Sequence, residues 1–143
     1  MDTVEQLTQV FNDNFVAYFK SHVSHVNIVG RNFQSDHALL NGIYDSLQDQ
    51  IDTIAELLRS LDAFMPTSIG EITSGSVIND DPVEGDADEL LGGVLLDLEI
   101  LKEANENLIR VAEEDGHEEI ANYAQDRVLA LAKQIWMLKS TLS

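Results

Sequence analysis

Two carboxylates and a group of histidines are the side chains of this sequence best suited to hold a metal ion. Asp52 and Glu56 are four residues apart, and three of the four histidines lie within sixteen residues. His25 and His37 flank the first interruption of the helical pattern, so a short turn could bring them together. Two imidazoles and two carboxylates form a ligand set suited to Fe(II) or another first-row dication. A solvated acidic pair and two helix-end histidines without metal are the ordinary alternative.

One chain cannot bring these four side chains to the same metal ion. His37 and Asp52 are fifteen residues apart on one predicted helix, which separates them by about 22 Å. If two copies of that helix cross antiparallel near residues 45–46, residue 37 of one copy lies opposite residues 53–55 of the other. The helical wheel also points Asp52 and Glu56 away from the apolar stripe of their own helix. The spacing therefore predicts a metal site between two chains.

Apolar residues spaced three and four apart predict four long helices that position these groups. The predicted ranges are about 3–27, 35–61, 86–114 and 117–142. We expect Gly30 to end the first helix and Ser35 to be the N-cap of the second. No segment alternates with a period of two, so no strand is predicted.

The lengths of the connections decide the predicted architecture. Short turns join the first helix to the second and the third to the fourth, so each pair forms an antiparallel hairpin. The connection over residues 66–85 is long enough to run the length of the bundle, with a short helix near 68–73. The sequence predicts an all-α, ferritin-like four-helix bundle with one long crossover connection. We expect a single domain over residues 1–143.

The residues around the histidines carry a resemblance to a known family. The stretch HVSHVNIVGRNFQSDH at residues 22–37, followed by Tyr44 and by IDTIAE at 51–56, resembles the ferroxidase signature of the Dps-type mini-ferritins. That signature has two histidines three apart, then N-x-x-G-x-x-F-x-x-x-H, then D-x-x-x-E fifteen residues later. The end of the fourth helix, KQIWML at 133–138, is also similar to the family's pattern. The resemblance covers nearly the whole chain.

This resemblance implies a function and a set of site residues. By position, His25 and His37 of one subunit and Asp52 and Glu56 of its neighbour would bind iron and carry the oxidation, with Glu56 as the principal ligand. Asn41 stands where many members have an acidic residue, and is a weaker candidate ligand. The resemblance implies a ferroxidase that oxidises Fe(II) with hydrogen peroxide or oxygen. It also implies a hollow dodecamer that stores the ferric mineral and protects against oxidative damage.

An acidic run lies at the turn between the third and fourth predicted helices. By position, Glu113, Glu118 and Asn122 match the residues that line the family's acidic three-fold pore, where iron enters. Three copies of two glutamates would concentrate a negative potential that attracts Fe(II). A solvated loop, with acids favoured by the N-terminus of the following helix, is the alternative.

The charge balance limits the partners of the protein. There are 26 acidic and 8 basic residues, for a formal net charge of −18, and the basic residues do not cluster. Direct DNA binding needs clustered Lys and Arg against phosphates, so we expect none. The absence of cysteine excludes disulfides and thiolate chemistry.

The same sequence gives a predicted location. No apolar run approaches the ~20 residues of a membrane span. The first residues lack the basic and apolar regions of a secretory signal. We therefore expect a cytoplasmic protein with no membrane partner.

Two other functions fit the sequence. One is a non-enzymatic, acidic helical bundle that only mediates interactions. The other is a shell that binds metal with little turnover, because Val26 and Asn41 replace residues that many family members carry beside the iron. Oxidation of Fe(II) by the purified protein separates both from a ferroxidase.

Overall fold

The computed structural model describes all 143 residues and contains five helices and no strand. The helices are α1 (Thr3–Asn27), α2 (Phe33–Ser60), α3 (Ile69–Gly75), α4 (Ala87–Glu114) and α5 (Glu118–Leu142). The pairs α1–α2 and α4–α5 pack as hairpins, α1 also packs on α4, and α3 lies against α1 within the crossover. The predicted all-α, ferritin-like four-helix bundle with a helix-bearing crossover is confirmed. None of the helices is both long and apolar enough to cross a membrane.

The predicted apolar stripes meet in one continuous core. Each long helix contributes fully buried side chains, such as Leu7, Leu47, Leu98 and Leu131. The burial of one such side chain stabilises the fold by about 1.5–3 kcal/mol. Val26 is an exception: it continues the apolar spacing of the predicted first helix, which predicts that it packs in the core, but it is 62% exposed. α1 ends one residue later, and the core position beyond its end is filled by the buried Ile28.

The α1–α2 turn is tighter than the sequence predicted. α1 ends at Asn27, and Gly30 lies three residues beyond it, where a φ of +139° turns the chain. α2 then begins at Phe33, with Asn32 at the N-cap position. The prediction that Ser35 is the N-cap is wrong: Ser35 lies inside the first turn, and its hydroxyl donates to the carbonyl of Asn32 (3.1 Å). This short turn holds the end of α1 beside the start of α2.

The crossover is anchored to α1 by a buried carboxylate. Asp13 accepts hydrogen bonds from the Ser76 hydroxyl and the Val77 amide, both at 2.8 Å. Burial raises the pKa of Asp13 above its ordinary value. Gly75 lies close to α1 at the end of α3, where a Cβ would lie 2.5 Å from the Asn12 side-chain amide nitrogen and would force that side chain to move. These contacts fix the path of the crossover over α1.

Candidate metal centre

His25 and His37 form a stacked pair across the α1–α2 turn. Their ring centroids are 3.9 Å apart, with an interplanar angle of 18°. Nδ1 of His25 lies 3.0 Å from the carbonyl oxygen of His37, and Nδ1 of His37 lies 2.8 Å from the carbonyl oxygen of His25. The approach predicted for these two histidines is therefore present, and the two hydrogen bonds are reciprocal.

The reciprocal bonds define which nitrogen of each ring is available to a metal. A carbonyl oxygen only accepts, so each Nδ1 carries the hydrogen and donates it. In the neutral ring the lone pair is then on Nε2, which is the usual arrangement of a metal-binding histidine. His25 is 7% exposed, and burial lowers its pKa below the ordinary value. That ring therefore stays neutral, and able to bind a cation, to lower pH than a free histidine.

The carboxylates of the predicted ligand set lie elsewhere on α2. Asp52 and Glu56 are exposed, as the helical wheel predicted, and Asn41 is exposed one turn after His37. No three His, Asp or Glu side chains of one chain converge on a common point. A single chain thus presents an ordered histidine pair at one end of α2 and a solvated acidic pair further along it.

The chain matches a family model described as a ferritin-like domain over residues 4–143. A DNA protection during starvation protein of Helicobacter pylori is 28% identical over 144 residues, covering all of both chains. Antigen TpF1 of Treponema pallidum is 34% identical and is matched over 96% of this chain and 78% of its own length. The chain belongs to the Dps-type mini-ferritins.

Solved structures share the fold over almost the whole chain. The Helicobacter cinaedi protein CAIP superposes with a TM-score of 0.91 at 31% identity, covering 99% of this chain and all of that one. The Vibrio cholerae Dps protein gives 0.93 at 26% identity, covering 99% and 89%. The latter is described as a member of the ferritin-like diiron-carboxylate proteins. The separate histidine and carboxylate groups of this mini-ferritin therefore lie in the fold of the ferritin-like diiron-carboxylate proteins.

The proposed pore residues surround an ordered turn between α4 and α5. Glu113 and Glu118 lie on either side of that turn, Asn122 follows one turn into α5, and all three are exposed. Asp115 in the turn accepts hydrogen bonds from the amide and hydroxyl of Thr3 at 2.9 and 2.6 Å. These bonds hold the pKa of Asp115 below its ordinary value. These bonds tie the turn to the start of α1, and both glutamates beside it are exposed to solvent.

Iron uptake is expected to depend on these two glutamates most strongly at low salt. Replacing Glu113 and Glu118 together by glutamine should slow uptake by roughly tenfold at low ionic strength, because a focused potential raises the rate of cation entry. The difference should shrink at high salt, which screens exposed charges. Stopped-flow uptake at two salt concentrations measures both rates. Equal rates for variant and parent at low salt would remove the pore assignment.

Phe33 and Tyr44 belong to the stretch that resembles the family, but no role beside the histidine pair was predicted for them. Tyr44 lies 4.8 Å from His25, centroid to centroid, and Phe33 stacks on His37 at 5.0 Å. Tyr44 is seven residues beyond His37, two helical turns along α2. That spacing was a usable signal, because residues seven apart share a helix face.

Proposed function

We propose that this mini-ferritin oxidises Fe(II) at sites shared between two subunits and stores the ferric product inside a dodecameric shell. The observation that carries the proposal is the reciprocal His25–His37 pair, which presents two Nε2 atoms while the matching carboxylates lie exposed on another part of α2. A second copy of the chain can bring Asp52 and Glu56 to those nitrogens. The resulting set of two imidazoles and two carboxylates suits Fe(II).

The proposed reaction uses iron as substrate. Two Fe(II) ions give up one electron each to hydrogen peroxide, which takes up two protons and leaves as two water molecules. The anionic oxygens of Asp52 and Glu56 favour the more highly charged Fe(III), so they assist the loss of the electron. The imidazoles hold the ion in place and are themselves oriented by the opposite carbonyl groups. Removal of Fe(II) and peroxide together would protect the cytoplasm from oxidative damage.

The direct test is oxidation of Fe(II) by the purified protein. Anaerobic protein is loaded with Fe(II), hydrogen peroxide is added, and the near-ultraviolet absorbance of the ferric product is followed. We expect rapid oxidation and a soluble ferric product, with light scattering reporting a dodecamer. Binding of Fe(II) without oxidation would favour the shell with little turnover. No binding at all would favour the interaction protein.

We expect no direct binding of duplex DNA, although several relatives are named for DNA protection. Lys20 is held by Asp97 at 3.1 Å, and Arg127 is 7% exposed, so two of the 8 basic residues are not available to phosphates. The rest do not cluster in sequence, and non-specific affinity depends on such clusters. A gel shift at physiological ionic strength with a chelator present should show no retarded band. A clear band would mean that assembly gathers the remaining basic residues into a patch.

A further inference from the structure

A row of aromatic rings leads away from the histidine pair along the α1–α2 seam. From His25 the next ring is Tyr44 at 4.8 Å, which stacks on His22 at 4.2 Å with an interplanar angle of 2°. Tyr18 follows, 5.7 Å from His22 and 6.4 Å from Tyr44. Contacting aromatic pairs have centroids about 4.5–7 Å apart, and the parallel His22–Tyr44 pair is slightly closer. Each ring from His25 to Tyr18 therefore contacts the next one in the row. Electrons move through contacting aromatic rings more readily than through saturated side chains.

Tyr18, the last of these four rings, carries a phenol paired with a base, and beyond it the row continues only to the hydrocarbon rings of Phe15 and Phe11. Oη of Tyr18 lies 3.3 Å from Nδ1 of His22, so the hydroxyl can donate to that nitrogen in the neutral ring. Oxidation of a phenol by one electron makes its proton strongly acidic, and a positioned base that takes the proton assists the step. The other two tyrosines lack such a partner: Tyr44 makes no side-chain hydrogen bond, and the hydroxyl of Tyr123 donates to the Gln50 amide oxygen at 2.6 Å.

We propose that Tyr18 and His22 form a redox site that stores one oxidising equivalent from the iron centre. This inference rests on the proposed function, because Fe(II) and hydrogen peroxide supply the oxidant. One Fe(II) reduces hydrogen peroxide by one electron and gives Fe(III), hydroxide and a hydroxyl radical. An electron from Tyr18 passes along the row and converts that radical to hydroxide. The phenol O–H bond breaks, and its proton moves to Nδ1 of His22.

The stored equivalent is returned by a second Fe(II). That ion gives one electron to the Tyr18 radical and becomes Fe(III), while His22 returns the proton and the phenol is restored. Together the steps convert two Fe(II) and one hydrogen peroxide to two Fe(III) and two hydroxide ions. A stored oxidising equivalent would be useful because the ligand set is small. The two imidazoles and two carboxylates suffice for one dication, and Asn41 adds only a neutral oxygen. A site holding one iron at a time can then complete a two-electron reduction.

The test is electron paramagnetic resonance after rapid freezing, on protein carrying ring-deuterated tyrosine. About one Fe(II) per site, followed by peroxide, should give a tyrosyl signal that decays when more Fe(II) is added. Tyr18→Phe should remove most of that signal. The matched control Tyr123→Phe, which lies outside the row, should retain it. His22→Phe keeps an aromatic ring but removes Nδ1, and should lower the radical yield by about tenfold or more.

The outcomes separate this proposal from the proposed function. The redox site is overturned if the parent protein oxidises iron without a tyrosyl signal, or if the signal survives Tyr18→Phe. Either result leaves the proposed ferroxidase activity intact. If the parent does not oxidise Fe(II), the proposed function fails. The redox site is then tested in iron-free protein, with azide radicals as the oxidant. The radical should then still reside on Tyr18 and depend on His22. Equal yields of the tyrosyl radical in the parent and His22→Phe proteins would contradict the proposed Tyr18–His22 pair in that experiment as well.

Discussion

Replacing Glu56 by alanine is expected to slow peroxide-driven oxidation of Fe(II) by about 100-fold or more, because even the groups that only orient metal ligands contribute 10–100-fold. The side chain is exposed on α2 of the single chain, so its removal leaves no cavity in the core of the subunit. The helical content and the assembly should therefore be unchanged. Absorbance of the ferric product gives the rate, and circular dichroism with light scattering checks the fold.

Asp49→Ala is the matched control for this substitution. Asp49 is also exposed on α2, so its replacement removes the same charge from the same helix without touching the proposed ligands. Its oxidation rate should stay close to that of the parent. Replacing Asp52, His25 or His37 by alanine should slow Fe(II) oxidation as Glu56→Ala does. Loss of the buried His25 ring will also lower the stability of the fold. A Glu56→Ala protein that oxidises iron at the parental rate would place the site elsewhere.

Shells that mix two inactive chains are expected to recover activity. A His37→Ala chain keeps its carboxylates, and a Glu56→Ala chain keeps its histidine pair. Where the two meet across a two-fold interface, one of the two sites combines an intact histidine pair with intact carboxylates. Random mixing of equal amounts makes half of the pairs mixed, so about a quarter of the parental activity should return. Co-expression followed by the Fe(II) oxidation assay measures it, with mass spectrometry to report the mixing.

The control for this experiment mixes two chains that are deficient in the same half of the site. His25→Ala and His37→Ala chains together never supply an intact histidine pair, so their mixed shells should remain inactive. Recovery in that control would show that the two histidines act independently. Absence of recovery in His37→Ala with Glu56→Ala shells, once mixing is verified, would mean that the ligands are not divided between chains in this way.

Properties that depend on local periodicity followed directly from the sequence. The range predicted for the first helix agrees with α1, and the other long helices begin or end within about two residues of their predicted limits. The exposure of Asp52 and Glu56 on α2 also followed, because 3.6 residues per turn fixes which side chains share a face. The rise per residue likewise separates His37 from Asp52 whatever the remainder of the chain does.

Features that depend on how separate segments meet were decided by the tertiary structure. The stacking of His25 on His37, with each ring bonded to the other's carbonyl, requires the rotation that the chain makes at residues 28–32. Periodicity carries no information about that rotation, which is also why the start of α2 lies at Phe33 and not after the predicted N-cap Ser35. The contact of Tyr44 with His22 and the burial of Lys20 against Asp97 join residues far apart in sequence. Such contacts arise only when whole helices pack, because the free energy that selects them comes from burial and pairing across elements and not from the propensities of single residues.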